Sequence, residues 1–132
     1  MSYATHAAQY QEVAVRSASP AKLVVLVYDH LLLQLRRAHV AIEQGNVELR
    51  GASLEKARAA LSELLVTLDH DRGGEISRQL SGVYAFLLAE LVDIGLHPSA
   101  ARLERVTAML ADLREAFAQI GGAGQQPTRE VA

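Results

Sequence analysis

The sequence predicts an all-α protein: an antiparallel up-down bundle of four helices, with a short N-terminal capping helix and a disordered C-terminal tail. Proline occurs only at positions 20, 98 and 127, and the stretches between are rich in Ala, Leu, Glu and Arg, which favour helix. Apolar residues recur there at steps of three and four, which place them on one helical face, and no stretch alternates with the period of a strand. Long helices joined by short turns are typical of an up-down bundle.

Composition excludes several classes of protein. The 132 residues suffice for one domain with a single core. A net charge of -2 argues against a nucleic-acid-binding protein, which usually carries a strongly basic face. Cysteine is absent, which excludes disulfides and thiolate metal sites. Neither a signal peptide nor an uninterrupted apolar run of about 20 residues is evident, so we expect no membrane insertion.

The chain divides into three segments, which are a cap segment (1–18), the bundle (19–120) and a tail (121–132). In the cap segment, Tyr3, Ala7, Tyr10 and Ala14 share one face of a short helix. A helix of that length is unstable alone in water, so it must pack on the bundle or fray. The tail begins with glycines and continues with polar residues, a composition typical of disorder.

The first long helix carries more apolar residues than one face requires. It is expected to begin after Ser19, a good N-cap, with Pro20 in its first position, and to end near Gln44 before Gly45. Within residues 23–35, ten of the thirteen residues are apolar. A single helix in a small bundle needs an apolar stripe rather than an apolar coat, so part of this surface needs another explanation.

A helical wheel separates the apolar residues of this helix into two groups. The larger group forms a core stripe, namely Val24, Tyr28, Leu31, Leu35 and Ile42, with Val27, Leu32 and Ala38 beside it. The smaller group, which we call the outer ridge, lies within the polar face and consists of Leu26, Leu33 and Val40, with Leu23 beside it. The polar face around the outer ridge contains Lys22, Asp29, His30, Gln34, Arg36 and Arg37.

Two interpretations of the outer ridge stay open at this point. In the first interpretation, the outer ridge is covered internally, either by a neighbouring helix or by the cap segment with Tyr3 and Tyr10. Alternatively, it is a groove for an amphipathic partner helix, which would bind through apolar anchors inside a charged rim. The two are compatible if the cap segment covers the surface until a partner replaces it.

Three further helices are expected, from about Asn46 to Leu68, from Glu75 to Ile94, and from Ser99 to Ile120. Their core stripes are Leu54, Ala57, Leu61, Leu64, Leu65 and Leu68; Ile76, Leu80, Val83, Tyr84, Leu87, Leu88 and Leu91; and Leu103, Val106, Leu110, Leu113, Phe117 and Ile120. The acidic cluster before the third helix, Asp69, His70, Asp71 and Glu75, resembles an acid–base pair or an ion-binding loop. A polar turn with acids at a helix N-terminus is the better interpretation.

No motif supports an enzyme. The chain lacks the Glu-x-x-His pairs of di-iron bundles and the His-x-x-x-His pair of helical zinc sites. Phosphate-binding glycine loops and a Gly-x-Ser-x-Gly motif are absent as well. We therefore expect no catalytic, cofactor-binding or metal-binding residues.

An ordered set of motifs resembles the FliS family of flagellar export chaperones over about residues 8–120. The motifs are Tyr10, SASPAKLVVLVYDH (17–30), AIEQGN (41–46), KARAALSELLVTLDHDRGGEISRQLSGVYAFLLAEL (56–91) and LADLREAFAQI (110–120). No single motif is highly specific for the family, but the complete set in this order and at this spacing is. The chain departs from the family pattern at His30, where glycine is usual, and at Phe117, where tryptophan is common.

The resemblance implies a chaperone of the bacterial cytosol that binds the disordered C-terminal segment of flagellin. This segment would wrap around the bundle and gain helix, which blocks premature polymerisation and keeps flagellin competent for type III export. Delivery to the cytosolic domain of the flagellar export gate is also implied. No ATP or other cofactor is needed. Whether the free protein is a homodimer stays open, and the alternative function is a self-associating structural or regulatory bundle without an export client.

The expected site combines the resemblance with the helical wheel. The flagellin groove is assigned to five residues of the first helix, namely Leu23, Leu26, Val27, His30 and Leu33. The displaceable cap is assigned to three residues of the cap segment, namely Tyr3, Tyr10 and Val13.

Overall fold

The computed structural model describes the backbone of residues 20–124 and the side chains of residues 21–120. Four helices follow one another, which are α1 (Pro20–Gln44), α2 (Val47–Val66), α3 (His70–Leu96) and α4 (Ala100–Gly124). The all-α prediction is confirmed, and residues 20–124 contain no strand. The cap residues Tyr3, Tyr10 and Val13 lie outside the described part of the chain, as does the tail beyond residue 124.

The turn between α1 and α2 follows directly from local sequence. Helix α1 ends at Gln44, and Gly45 adopts a φ of 67°, a left-handed conformation that glycine accepts without a steric cost. Asn46 then caps α2, because its side-chain oxygen accepts a hydrogen bond from the Leu49 N–H at 3.0 Å. Both ends agree closely with the prediction.

The acidic cluster before α3 forms a structural turn. The Asp69 side chain caps the helix by accepting from the Arg72 N–H at 3.1 Å, and the Ser77 hydroxyl donates to the Asp69 carbonyl at 2.9 Å. The chain then kinks at Gly74, whose φ of 50° interrupts the helical geometry. A short first turn from His70 therefore precedes the kink, and the uninterrupted part of α3 begins at Glu75, where the sequence predicted the helix to start. Within the described residues, no group of three or more acidic or His side chains is placed to hold a metal ion.

Helix α1 is the best-packed element, with extensive contacts to α2 and α4, while α3 packs on α2 and touches α4 less. Two contacts show that α1 and α4 run in opposite directions. Asp29 meets Arg114 and His39 meets Glu104, so rising numbers on one helix pair with falling numbers on the other.

The core agrees with most of the predicted stripes. Buried apolar residues come from all four helices, including Tyr28, Leu31, Leu35, Leu54, Leu61, Tyr84, Leu87, Leu91, Leu103 and Leu110. Three predictions were wrong. Gln34, assigned to the polar face, is buried, with only 3% of its surface exposed. Ile76 and Ile120, assigned to the core, are 67% and 62% exposed, because they occupy outer turns at one end of the bundle.

Helix α4 ends at Gly124 rather than at the predicted Ile120. Extending an existing helix adds one hydrogen bond for each residue that is fixed, so the helix continues into the glycines despite their low propensity.

Among the described helices, α3 alone is long and apolar enough to cross a membrane by length and composition. Core helices of soluble bundles can have the same length and apolar composition. One side of α3 is buried against the other helices through Tyr84, Leu87, Leu91 and Ile94. Its opposite side exposes Phe86, Val92 and Leu96.

Candidate partner-binding surface

The outer ridge points away from the bundle. Leu26, Leu33 and Val40 are 38%, 37% and 44% exposed, whereas the core-stripe residues Tyr28, Leu31 and Leu35 of the same helix are fully buried. Within residues 20–124 the neighbouring helices therefore leave part of each outer-ridge side chain exposed. Cover by the cap segment involves residues outside the described part of the chain.

The five residues assigned to the flagellin groove lie along one strip of α1. Leu26 and Leu33 belong to the outer ridge, and His30 is exposed beside them. Leu23 and Val27 are half-buried, and Val27 packs against the core. The strip is therefore accessible along its outer edge and anchored in the bundle along its inner edge.

A groove between α1 and α4 adjoins the outer ridge. Its volume is about 520 Å³, and its lining residues are Leu35, Arg36, His39, Val40, Glu104, Thr107, Ala108 and Ala111. Val40 belongs to both the outer ridge and this α1–α4 groove. The gap exists because α4 presents small side chains here. Sequence reasoning did not assign these α4 residues, although Thr107, Ala108 and Ala111 form a patch of small side chains on one face.

Polar side-chain contacts join α1 to α4 on both sides of this gap. Near one end, the Arg114 guanidinium donates to Asp29 through Nε at 2.9 Å and also contacts Glu115 at 2.8 Å. These hydrogen bonds, that to Asp29 first, raise the pKa of Arg114 above its ordinary value. At the other end, His39 contacts Glu43 through Nδ1 at 3.2 Å and Glu104 through Nε2 at 2.9 Å. The two ends of the α1–α4 groove are thereby held at a fixed spacing.

The two departures from the family pattern occupy different environments. Phe117 is half-buried and packs on Tyr28 with ring centroids 5.6 Å apart, so it extends the aromatic core at the end of α4. His30 is exposed at the edge of the candidate surface, where its ring changes the shape presented to a partner.

Comparison with known families identifies the chain. The family described as Flagellar protein FliS matches residues 3–124 of this chain. The chain belongs to the FliS family. Membership makes it a flagellar secretion chaperone rather than an enzyme.

Relatives in the FliS family come from distant bacteria. The flagellar secretion chaperone FliS of Salmonella typhimurium is 36% identical over 110 residues, which cover 83% of this chain and 82% of that protein. The chaperone of Campylobacter jejuni is 32% identical over 102 residues, covering 77% and 80%. That of Bacillus subtilis is 30% identical over 110 residues, covering 83% and 81%. The similarity thus extends over most of each protein.

Proposed function

We propose that this protein is a cytosolic chaperone that binds the disordered C-terminal segment of flagellin, prevents its premature polymerisation and keeps it competent for export. The observation that carries this proposal is the exposed outer ridge on a FliS-family bundle. An apolar strip at the centre of a polar face needs a partner to cover it.

The shape of the surface suits a client that folds on binding. From Leu26 to Val40 the outer ridge extends about 21 Å along the helix, at 1.5 Å per residue. A client helix lying along it would supply apolar anchors every three or four residues. A disordered segment loses conformational entropy when it orders, so it requires a long apolar surface rather than one small pocket. The outer ridge and the α1–α4 groove together supply such a surface.

The charged rim adds specificity. Arg36 and Arg37 are exposed beside the outer ridge, while Asp29 is held by Arg114 at its edge. Charges at the rim of an interface steer association and fix register more than they add affinity. Release requires no nucleotide in this proposal, because transfer to the cytosolic domain of the flagellar export gate would remove the client.

The cap segment is the second part of the proposal. Tyr3, Tyr10 and Val13 would cover the candidate surface in the free protein and leave it when flagellin binds. Deletion of residues 1–16 should then increase binding of an apolar fluorescent dye, and an unchanged dye signal would contradict this role.

The decisive experiment mixes the protein with the C-terminal segment of flagellin and measures complex formation by calorimetry and helicity by circular dichroism. The wild type should form a one-to-one complex with increased helicity. The double variant Leu26→Asp and Leu33→Asp should lose binding while the bundle stays folded. A matched control, Val66→Asp with Met109→Asp, changes two exposed apolar residues that do not line the α1–α4 groove and should bind normally.

Three outcomes would contradict the proposal. If the Leu26 and Leu33 variant binds as well as the wild type, the client uses another face. If it unfolds while the control does not, the outer ridge contributes to the core. If the wild type binds no flagellin but self-associates, the alternative of a self-associating bundle without an export client is favoured.

A further inference from the structure

A second apolar groove lies between the start of α2 and the end of α3. Its volume is about 350 Å³, and it is lined by Val47, Arg50, Gly51, Leu54, Arg58, Val92, Gly95 and Leu96. It shares no residue with the outer ridge or the α1–α4 groove. We call it the α2–α3 groove.

Two glycines leave the α2–α3 groove open. A Cβ at Gly51 would meet nothing within 4 Å, and a Cβ at Gly95 would lie 3.7 Å from Leu54 Cδ1, an ordinary contact. Neither position has a positive φ, so neither the backbone nor the packing requires glycine. Glycine nevertheless lowers helix stability relative to alanine. Because both glycines line the groove, a side chain at either position would occupy part of it.

Apolar side chains at the rim are strongly exposed. Val47, Val92 and Leu96 are 63%, 50% and 71% exposed, and Leu54 below them is 1% exposed. This arrangement of an apolar floor and an apolar rim is typical of a groove that receives the anchors of a partner helix.

Two arginines, Arg50 and Arg58, give the α2–α3 groove its positive charge. Arg50 and Arg58 are half-buried, and neither forms an ion pair or side-chain hydrogen bond within the described part of the chain. They stand about 12 Å apart along α2, at 1.5 Å per residue. By contrast, Arg102 nearby on α4 is bound to both Glu90 and Asp93, so those acids are already engaged.

We propose that the α2–α3 groove binds an acidic amphipathic helix of a partner protein, at a site separate from that for flagellin. The partner helix would place apolar residues over Leu54 and between Val47 and Leu96. Its carboxylates, spaced by about two helical turns, would pair with Arg50 and Arg58. Desolvated carboxylate–guanidinium pairs of this kind are strong and specific for acidic partners.

The test uses a synthetic helical peptide of about 18 residues, five turns long, with Leu anchors at steps of three and four and Glu on both flanks. A second peptide carries Lys in place of every Glu. Fluorescence anisotropy with the full-length protein should detect binding of the acidic peptide, and binding of the Lys peptide should be at least about tenfold weaker. The Leu26→Asp, Leu33→Asp variant should bind the acidic peptide like the wild type.

Substitution within the groove provides the main control. Gly51→Met should abolish peptide binding without unfolding the protein, because the added side chain enters open space. Gly82→Met makes the same change on α3, where the side chain also enters open space but lies outside the groove. This variant should bind the acidic peptide like the wild type. The double variant Arg50→Gln, Arg58→Gln should bind the acidic peptide about tenfold more weakly than the wild type, or weaker still.

Several results would overturn the proposal. If both peptides bind equally well, or if Gly51→Met binds the acidic peptide like the wild type, the groove does not bind an acidic helix selectively. Loss of flagellin binding in Gly51→Met would assign the groove to the client. Binding to phosphatidylglycerol vesicles that Gly51→Met removes, without peptide binding, would assign it to membranes. A wild-type dimer that becomes a monomer in Gly51→Met would assign it to a second copy of the chain.

Discussion

The phenolic oxygens of Tyr28 and Tyr84 lie 2.5 Å apart in the core, where both residues are almost fully buried. This hydrogen bond joins α1 to α3 across the bundle. One hydroxyl donates and the other accepts, and no fully buried side-chain nitrogen or oxygen in the described residues lacks a partner. The pair therefore fixes the relative position of two helices by a polar contact inside an apolar core.

Removing one hydroxyl of this pair should lower the free energy of unfolding more than removing both. Tyr28→Phe or Tyr84→Phe leaves one buried hydroxyl without a partner, which costs about 1–3 kcal/mol. The double variant buries no unpaired group, so its free energy of unfolding should be closer to that of the wild type. Urea denaturation of all four proteins measures the coupling. Additive losses in the double variant would show that the two hydroxyls do not depend on each other.

The same pair predicts a loss of stability at alkaline pH. Burial raises the pKa of both Tyr28 and Tyr84 above the ordinary value. The unfolded chain releases these protons near pH 10, whereas the folded protein keeps them. The stabilisation is therefore complete below about pH 10 and declines as the pH rises further.

Absorbance of tyrosinate can follow this transition. In a Tyr3→Phe, Tyr10→Phe background, which removes the other two of the four tyrosines, tyrosinate should form only together with loss of the circular dichroism signal. Ionisation of Tyr28 or Tyr84 in a fully helical protein would contradict the prediction.

Arg102 should stabilise the contact between α3 and α4 in a pH-dependent way. Its guanidinium donates to Asp93 at 2.5 Å and to Glu90 at 2.9 Å. The hydrogen bond from Arg102 is the main cause that holds the pKa of Asp93 below its ordinary value, and His97 adds to it. The contribution of Asp93 is thus present above about pH 4 and is lost as the pH falls through its folded pKa.

The measurement is the thermal midpoint of Arg102→Met and of the wild type between neutral and acidic pH. The variant should unfold at a lower temperature near pH 7, and the difference should shrink in acid. Arg105→Met, which removes an exposed arginine of α4 with no partner in residues 21–120, is the control. A difference that stays constant with pH would mean that Arg102 acts by packing alone.

A side chain at Gly73 should destabilise the protein, because Ser77 would have to move. A Cβ there would lie 1.9 Å from Ser77 Oγ, the hydroxyl that donates to the Asp69 carbonyl. Gly73→Ala should therefore destabilise the start of α3, by about 1–3 kcal/mol if the displaced hydroxyl loses its partner. Gly82→Ala, where a Cβ meets open space, should instead stabilise the protein by up to about 1 kcal/mol. Equal effects in thermal unfolding would show that Ser77 moves aside freely.

The sequence alone determined the helices and most of their core faces. Pro20, Gly45 and Asn46 act on their own neighbours, so the ends of α1 and the start of α2 were predictable from local chemistry. The separation of Leu26 and Leu33 from the core stripe depends only on helical periodicity, and the structure leaves both residues exposed.

Tertiary structure decided which polar and apolar residues are covered. Gln34 is buried although the helical wheel places it on the polar face, whereas Ile76 and Ile120 are exposed because the bundle ends beside them. Periodicity gives the direction of a side chain around its own helix, but not what lies in that direction.

The two grooves also could not be predicted without knowing how the helices pack. Three of the eight residues that line the α1–α4 groove are Thr107, Ala108 and Ala111, whose small side chains form a gap only because α1 stands opposite. The α2–α3 groove likewise needs Gly51 and Gly95 on two different helices. The sequence by itself determined the helices and the outer ridge, because a helix and its faces are set by near neighbours in the chain. Only the packing of distant segments could create the spaces between helices.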